Sequence, residues 1–271
     1  MTLQLDARRL AMLREMGLRL LPAAAPEVTT VAAQPMAAVA PVPAEPAVQA
    51  RVEPAPARAP VAPLAPAPAG REAGIATLDW PDLAAAVRAC TACDLCGTRQ
   101  QTVFGVGPQR AEWMVIGEAP GESEELQGEP FVGQAGKLLD SMLRAIGLDR
   151  QRNVYIANVL KCRPPGNRNP EPDELAQCEP FLRRQVELVQ PRVILAMGRF
   201  AVQTLLQTQE PIGRLRGRPH QYQGVPVIVT YHPAYLLRNL PDKAKAWADL
   251  CLAQDLMAGV QAGVQAGPSG R

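Results

Sequence analysis

Four short apolar runs, at residues 113–116, 154–160, 193–197 and 225–230, alternate with longer segments in which apolar residues recur at helical spacing. Runs this short, closed off by turn residues, suit strands buried on both faces. The intervening stretches at about 133–146, 172–189, 198–207 and 242–257 read as helices. Such alternation predicts a parallel sheet covered on both sides, a three-layer α/β/α domain with a four-stranded, mostly parallel sheet.

Ligands in open sheets of this kind bind at the carboxyl ends of the strands. The loop after the first run, residues 117–136, contains Gly117, Gly121, Gly128, Gly133 and Gly136 with Pro120 and Pro130. So much Gly and Pro suggests a backbone that turns sharply or approaches a ligand closely. Glu118 stands at the strand tip, and Phe131 is the loop's one large aromatic. Asn158 interrupts the second apolar run. Burying it is costly unless its amide finds partners. It is either bonded to neighbouring backbone or used to read a pyrimidine edge, for which it carries both donor and acceptor. Of two histidines, His220 lies in a basic loop and is expected at the surface, whereas His232 ends the fourth run between Tyr231 and Pro233. Glu118, Asn158 and His232 at one sheet edge, with Phe131 beside them, form a candidate catalytic constellation.

A helix capped by Asp79 leads into Cys90-Thr-Ala-Cys93-Asp-Leu-Cys96, and Cys162 and Cys178 follow in a second, Pro- and Arg-rich segment. Two thiolates on one turn commonly begin a metal or cluster site. The candidates, in order, are an iron–sulfur cluster, a zinc ion and unligated core thiols. Cys96 is a fifth thiol near the site, and Cys251 is expected in the core.

Outside this domain the chain changes character. Residues 5–21 carry Leu5, Leu10, Leu13, Met16 and Leu20 at helical spacing. One short amphipathic helix needs something to dock on, and a partner's groove is the expectation here. Residues 22–74 hold 12 of the 28 prolines and read as an extended, disordered linker. The folded domain is expected over 75–258, with a frayed tail at 259–271. Net charge is +2, which neither demands nor excludes nucleic acid. No apolar run reaches the roughly 18 residues of a membrane span, and Arg8, Arg9 and Arg14 break any signal-peptide pattern. The expected setting is cytoplasmic.

Residues 90–252 resemble the family 4 uracil-DNA glycosylases, iron–sulfur members of a larger superfamily. The resemblance rests on Gly-Glu-Ala-Pro-Gly-Glu at 117–122, Pro-Phe-Val-Gly-Gln-Ala-Gly at 130–136, and Asn158 with Lys-Cys-Arg-Pro-Pro at 161–165. Asn-Arg at 167–168 and His-Pro-Ala-Tyr-Leu-Leu-Arg at 232–238 complete it. It implies a DNA-repair enzyme that flips uracil out of single- or double-stranded DNA and hydrolyses its N-glycosidic bond. It further implies a [4Fe-4S] cluster on Cys90, Cys93, Cys162 and Cys178, catalysis by Glu118 and His232, and a uracil pocket of Gly117, Ala119, Phe131 and Asn158. Glu125 departs from the family pattern, which usually has Asp there, as do Leu126 and Gln127. A monomer is expected. The alternative is a non-catalytic iron–sulfur accessory protein tethered to the replisome. Residues 8–18 also resemble, over about a dozen positions of loose pattern, the peptide with which the psi subunit of a bacterial polymerase grips its clamp loader.

Lys161, Arg163, Arg168, Arg214, Arg216, Arg218 and Arg238 lie on loops near the same sheet edge and are the expected phosphate track. Five glutamates at 118–129 sit awkwardly beside a phosphate backbone.

Overall fold

The computed structural model describes residues 69–265, with side chains over 70–260. The expected helix at 5–21, its partner and residues 22–68 of the linker lie outside the described residues. A five-stranded sheet runs in the order β2-β1-β3-β5-β4. Its strands are β1 (Trp113–Gly117), β2 (Val154–Asn158), β3 (Val193–Met197), β4 (Pro219–Tyr222) and β5 (Val225–Thr230). Strands β2, β1, β3 and β5 are parallel, and β4 pairs antiparallel with β5. The register sets Gly117 beside Asn158 and Met197 beside Thr230, so the carboxyl ends of all four parallel strands finish on one edge.

Helices cover both faces. Within β1, Val115 packs into one core and Met114 and Ile116 into the other, the period of two that a strand imposes. Below Val115 lie α5 (Gln134–Ala145) and α10 (Lys243–Gln265), contributing Leu139, Met142, Leu143, Trp247 and Leu250. Under Met114 and Ile116 lie α6 (Pro172–Val189) and α7 (Arg199–Leu206), contributing Leu182, Val186, Val202 and Leu205. Fully buried leucines such as Leu139 and Leu182 each contribute roughly 2 kcal/mol of transfer free energy.

Four strands were expected and five are present. The fifth, β4, has an alternately exposed Pro-His-Gln-Tyr sequence that carries no apolar run, and an edge strand tolerates its Pro. The domain also begins earlier than residue 75. Helix α1 (Ala69–Ala76) falls inside the stretch expected to be linker and is held by long-range contacts. Ile75 is buried with Leu83, Val87 and Phe181; Glu72 pairs with Arg183; and Arg71 stacks on Phe181. At the other end α10 continues to Gln265, past the expected break at Gly259. The Ala-, Val- and Gln-rich stretch around Gly259 carries the helix through one unfavourable residue. Among the described residues no helix is long and apolar enough to cross a membrane.

Between the cysteine segment and β1 the chain runs along the free edge of β2. Val106 forms an antiparallel bridge with Ile156, and the N–H of Val103 donates to the Lys161 carbonyl at 2.8 Å. Gly107 (φ 125) permits this approach, since a Cβ there would stand 2.2 Å from the Val154 carbonyl oxygen.

Candidate active site

A cavity of about 740 Å³ opens at the carboxyl edge of the sheet, and Glu118, Ala119, Phe131, Asn158 and His232 all line it. Gly117 is not part of the wall but makes room for it. A Cβ at Gly117 would stand 2.4 Å from Asn158 Oδ1 and 2.6 Å from the Phe131 ring.

Asn158 ends β2 and is 2% exposed, and its Oδ1 is buried without a hydrogen-bond partner. An unpaired buried acceptor costs about 1–3 kcal/mol, so it calls for a donor. Phe131 is 4% exposed and held in the left-handed region (φ 55). The Arg150 guanidinium fixes its carbonyl at 2.8 Å, and its ring stacks on His232 at 5.3 Å between centroids. Gly136 is what lets α5 start here, because a Cβ would lie 1.8 Å from the Phe131 carbonyl oxygen. Gly136→Ala is therefore expected to destabilise the domain by on the order of 3 kcal/mol, read as a lowered urea midpoint with an unchanged slope.

His232 caps α9 (Pro233–Arg238): the Ala234 N–H donates to its Nδ1 at 3.1 Å. With Nδ1 accepting, the neutral ring carries its proton on Nε2. One edge of the ring faces the cavity, and burial of the rest pushes its pKa down to about 4; Glu124 opposes that shift and Arg238 adds to it. Glu118 accepts the Phe200 N–H at 2.9 Å, at the start of α7. Burial pushes its pKa above the ordinary value, opposed by that bond and by Arg199. Gly198 (φ 96) leaves the space, since a Cβ there would stand 2.5 Å from Glu118 Oε1.

Two of the five glutamates at 118–129, Glu124 and Glu125, have structural roles. In the loop after β1, residues Glu122–Gln127 form a short helix, α4, where no helix was expected. Glu124 also lines the cavity and accepts three main-chain N–H groups: Val132 at 2.9 Å, Gly133 at 3.0 Å and Gly121 at 3.1 Å. It thus knots both ends of the loop that presents Phe131. Glu125 is 4% exposed, accepts the Gln100 N–H at 3.0 Å and pairs with Arg163 at 3.4 Å.

Five of the cysteines lie near one another. Cys162 and Cys178 are buried; Cys90, Cys93 and Cys96 are partly buried. Cys93 feels the charge of Cys162 and Cys90, and Cys178 that of Cys162 and Cys93. Burial raises the pKa of the Cys93, Cys162 and Cys178 thiols, the last to about 12. At Cys162 the Arg99 guanidinium opposes it, Nη1 donating to Sγ at 3.2 Å; Arg71 Nη2 donates to Cys90 Sγ at 3.4 Å. Cys96 also reaches Cys162 electrostatically. Among the described residues, no three His, Cys, Asp or Glu side chains converge on a point that could hold a metal ion.

A family model for the uracil DNA glycosylase superfamily matches residues 104–251. That is more than half of the chain. The chain belongs to the uracil DNA glycosylase superfamily. Its relatives include a "Type-4 uracil-DNA glycosylase" of Archaeoglobus fulgidus, 46% identical over 164 residues that cover 58% of this chain and 82% of the relative. Similarly named proteins of Thermotoga maritima (46% identical; 56% and 80% covered) and Saccharolobus solfataricus (45%; 57% and 76%) are alike to the same degree. Cys162 and Cys178 lie inside the superfamily match and Cys90 and Cys93 just before it.

The expected phosphate track of this superfamily member needs correction. Lys161 is 1% exposed and donates inward to the Asn158 carbonyl and Gln185, so it cannot reach DNA. Arg163 is occupied by Glu125 and by Asn167 Oδ1 at 2.7 Å. Arg216 is bound to Asp249 and lies over the Tyr231 ring at 5.0 Å. Arg168, paired with Glu174, lines the cavity mouth, as does Arg238; Arg214 and Arg218 are exposed. Sequence reasoning missed Arg199, an exposed cation at the cavity that lies 4.4 Å over the Phe200 ring. Its position straight after β3 and Gly198, at the sheet's ligand edge, was the available signal. His220 is half-buried and its Nε2 lies 2.7 Å from the Leu215 carbonyl, which gives it a structural place. Cys251 is partly buried and packs against the α5–α10 core.

Proposed function

We propose that this chain is a uracil-DNA glycosylase: it extrudes uracil from DNA and hydrolyses the N-glycosidic bond, leaving free uracil and an abasic site. The observation that carries this reading is the orphaned Asn158 Oδ1, buried in a cavity it shares with Glu118, Phe131 and His232. Uracil offers N3–H to that oxygen and O4 to the amide nitrogen, whereas cytosine reverses both groups. A stacked base is out of reach, so the nucleotide must flip at a cost of a few kcal/mol, and the Phe131 ring lines the receiving cavity.

As the glycosidic bond breaks, negative charge grows on uracil O2 and positive charge on the sugar. The His232 Nε2–H is the donor for O2, already fixed in direction by the Ala234 N–H on its other nitrogen. The Glu118 carboxylate orients water and offsets the sugar charge. Arg168, Arg199 and Arg238 at the cavity, with Arg214 and Arg218 beyond, supply the cationic surface for phosphates.

Cys90, Cys93, Cys162 and Cys178 would hold a [4Fe-4S] cluster, which takes its thiolates on separate irons and needs no single point of convergence. Two guanidinium donors aimed at sulfur suit thiolates, not free thiols. Such a cluster would cross-link residues 90–93 to Cys162 and to α6, which carries Cys178. Purified under nitrogen, the protein is expected to show a broad visible absorbance that dithionite bleaches; a colourless, zinc-loaded preparation would overturn this assignment. The amphipathic pattern of residues 5–21 on a proline-rich linker supports a tether to a clamp-loader partner.

Uracil release from single-stranded and duplex oligonucleotides tests the central reading. Wild-type protein should leave alkali-labile sites at uracil only. DNA binding without release would favour a non-catalytic accessory protein.

A further inference from the structure

Lys161 is among the largest fully buried side chains of the domain. A buried ammonium is expensive unless an anion faces it. Its Nζ donates to the Asn158 carbonyl at 2.6 Å and to Gln185 Oε1 at 2.6 Å, both neutral acceptors. Gln185 is itself locked, because its Nε2 donates to the Phe104 carbonyl at 2.9 Å and the Tyr155 hydroxyl at 3.2 Å. The Lys161 main-chain N–H is bonded to Cys178. One residue therefore touches two systems, the cysteine set through its main-chain N–H and, through its side chain, the strand end that presents the orphaned amide.

We propose that Lys161 is a positioning residue for Asn158: its side chain pins the carbonyl of the residue that reads the base, while its main-chain N–H holds Cys178. This rests on the glycosylase reading above. Asn158 sits at the last rung of β2, where its ladder partner is Gly117 and the chain turns away soon after. A bond to its own carbonyl at that rung limits rotation of the peptide and hence the direction of the side-chain amide. The next two N–H groups, of Val159 and Leu160, donate to the carbonyls of Gly117 and Glu118 at 3.0 and 3.1 Å. The same pin thus steadies the main chain on which Glu118 stands.

A double-mutant cycle tests the coupling. Lys161→Met keeps the length and apolar stem and removes charge and donors; Lys161→Gln keeps a donor and is the companion should the first variant be insoluble. Single-turnover uracil release is measured on a single-stranded oligonucleotide for wild type, each Lys161 variant, Asn158→Ala and the double variants, with thermal melting and iron content alongside. Loss of a hydrogen bond to a charged group predicts a fall of about tenfold or more for Lys161→Met in the Asn158 background. In the Asn158→Ala background the same change should cost no more than about threefold, since the effect passes through Asn158. Equal losses in both backgrounds would mark Lys161 as a general structural residue and overturn the inference, as would an unchanged rate. A wild-type protein that releases no uracil would sink the functional reading and this one together.

Discussion

His232→Ala will slow uracil release by on the order of 10²–10³-fold under single-turnover conditions while leaving DNA binding near its wild-type value. The expectation follows from where the ring's proton must be. Nδ1 accepts the Ala234 N–H, so Nε2 is the donor, and it is one before any substrate arrives. No reorganisation is needed when charge appears on the base, which is why removing the donor costs rate and not affinity. His232 also caps α9, and loss of a cap costs about 1 kcal/mol; His232→Asn keeps an acceptor at the cap and separates the two effects. Should Asn restore the rate as well as the melting temperature, the ring is a cap alone.

The same residue sets a pH signature. Its folded pKa is about 4, below the value of about 6.5 expected when unfolded. The unfolded chain thus takes up a proton that the folded one refuses. Stability from this group is complete above about 6.5 and is lost as pH falls towards 4. Activity should show no inflection near 6.5. Its acid limb belongs to Glu118, whose raised pKa makes the carboxylate protonate earlier than an exposed one. A rate that halves near 6.5 would mean the imidazolium form is unproductive and accessible, contrary to this geometry.

Asn158→Asp is expected to lower uracil release by about 10- to 100-fold and to bring cytosine release above background. The carboxylate is a nearly isosteric replacement with acceptors only. It faces uracil O4 with another acceptor, whereas the amino group of cytosine can donate to it. Burial adds a second effect, because the variant places a charge where an amide oxygen already lacks a partner. Side-by-side assays on oligonucleotides with a single uracil or cytosine decide the matter. Unchanged rates on both would show that Asn158 does not touch the base.

Much of this was legible in the chain, for identifiable reasons. Strands β3 and β5 and helix α6 have the bounds read from the sequence, because each is a long or largely apolar segment bounded by Gly or Pro. The four cavity residues were legible because strand ends in a parallel sheet share an edge, so chemistry-bearing residues at those ends must meet. Strand β4 was not, since an edge strand answers to one neighbour and needs no apolar face. Nor was α4, whose Glu-Ser-Glu-Glu sequence looks like solvated loop until Glu124 is seen accepting three main-chain N–H groups. Charge assignments fared worst. Whether Lys161, Arg163 or Arg216 faces DNA depends on Gln185, Glu125 and Asp249, partners 24, 38 and 33 residues away, and no local pattern encodes that.

The bridge between Val106 and Ile156 has a consequence for handling the protein. Strand β2 lies at the rim of the sheet, and residues 103–107 are the flap that occupies its spare hydrogen-bonding side. An uncovered rim is a template for pairing with another chain. The flap is continuous with the cysteine segment, so whatever anchors residues 90–99 also keeps that rim closed. With the proposed cluster as that anchor, protein produced in iron-starved cells is expected to self-associate through β2 before its core melts. Light scattering that rises below the loss of near-ultraviolet circular dichroism would reveal it, and coincident transitions would refute it.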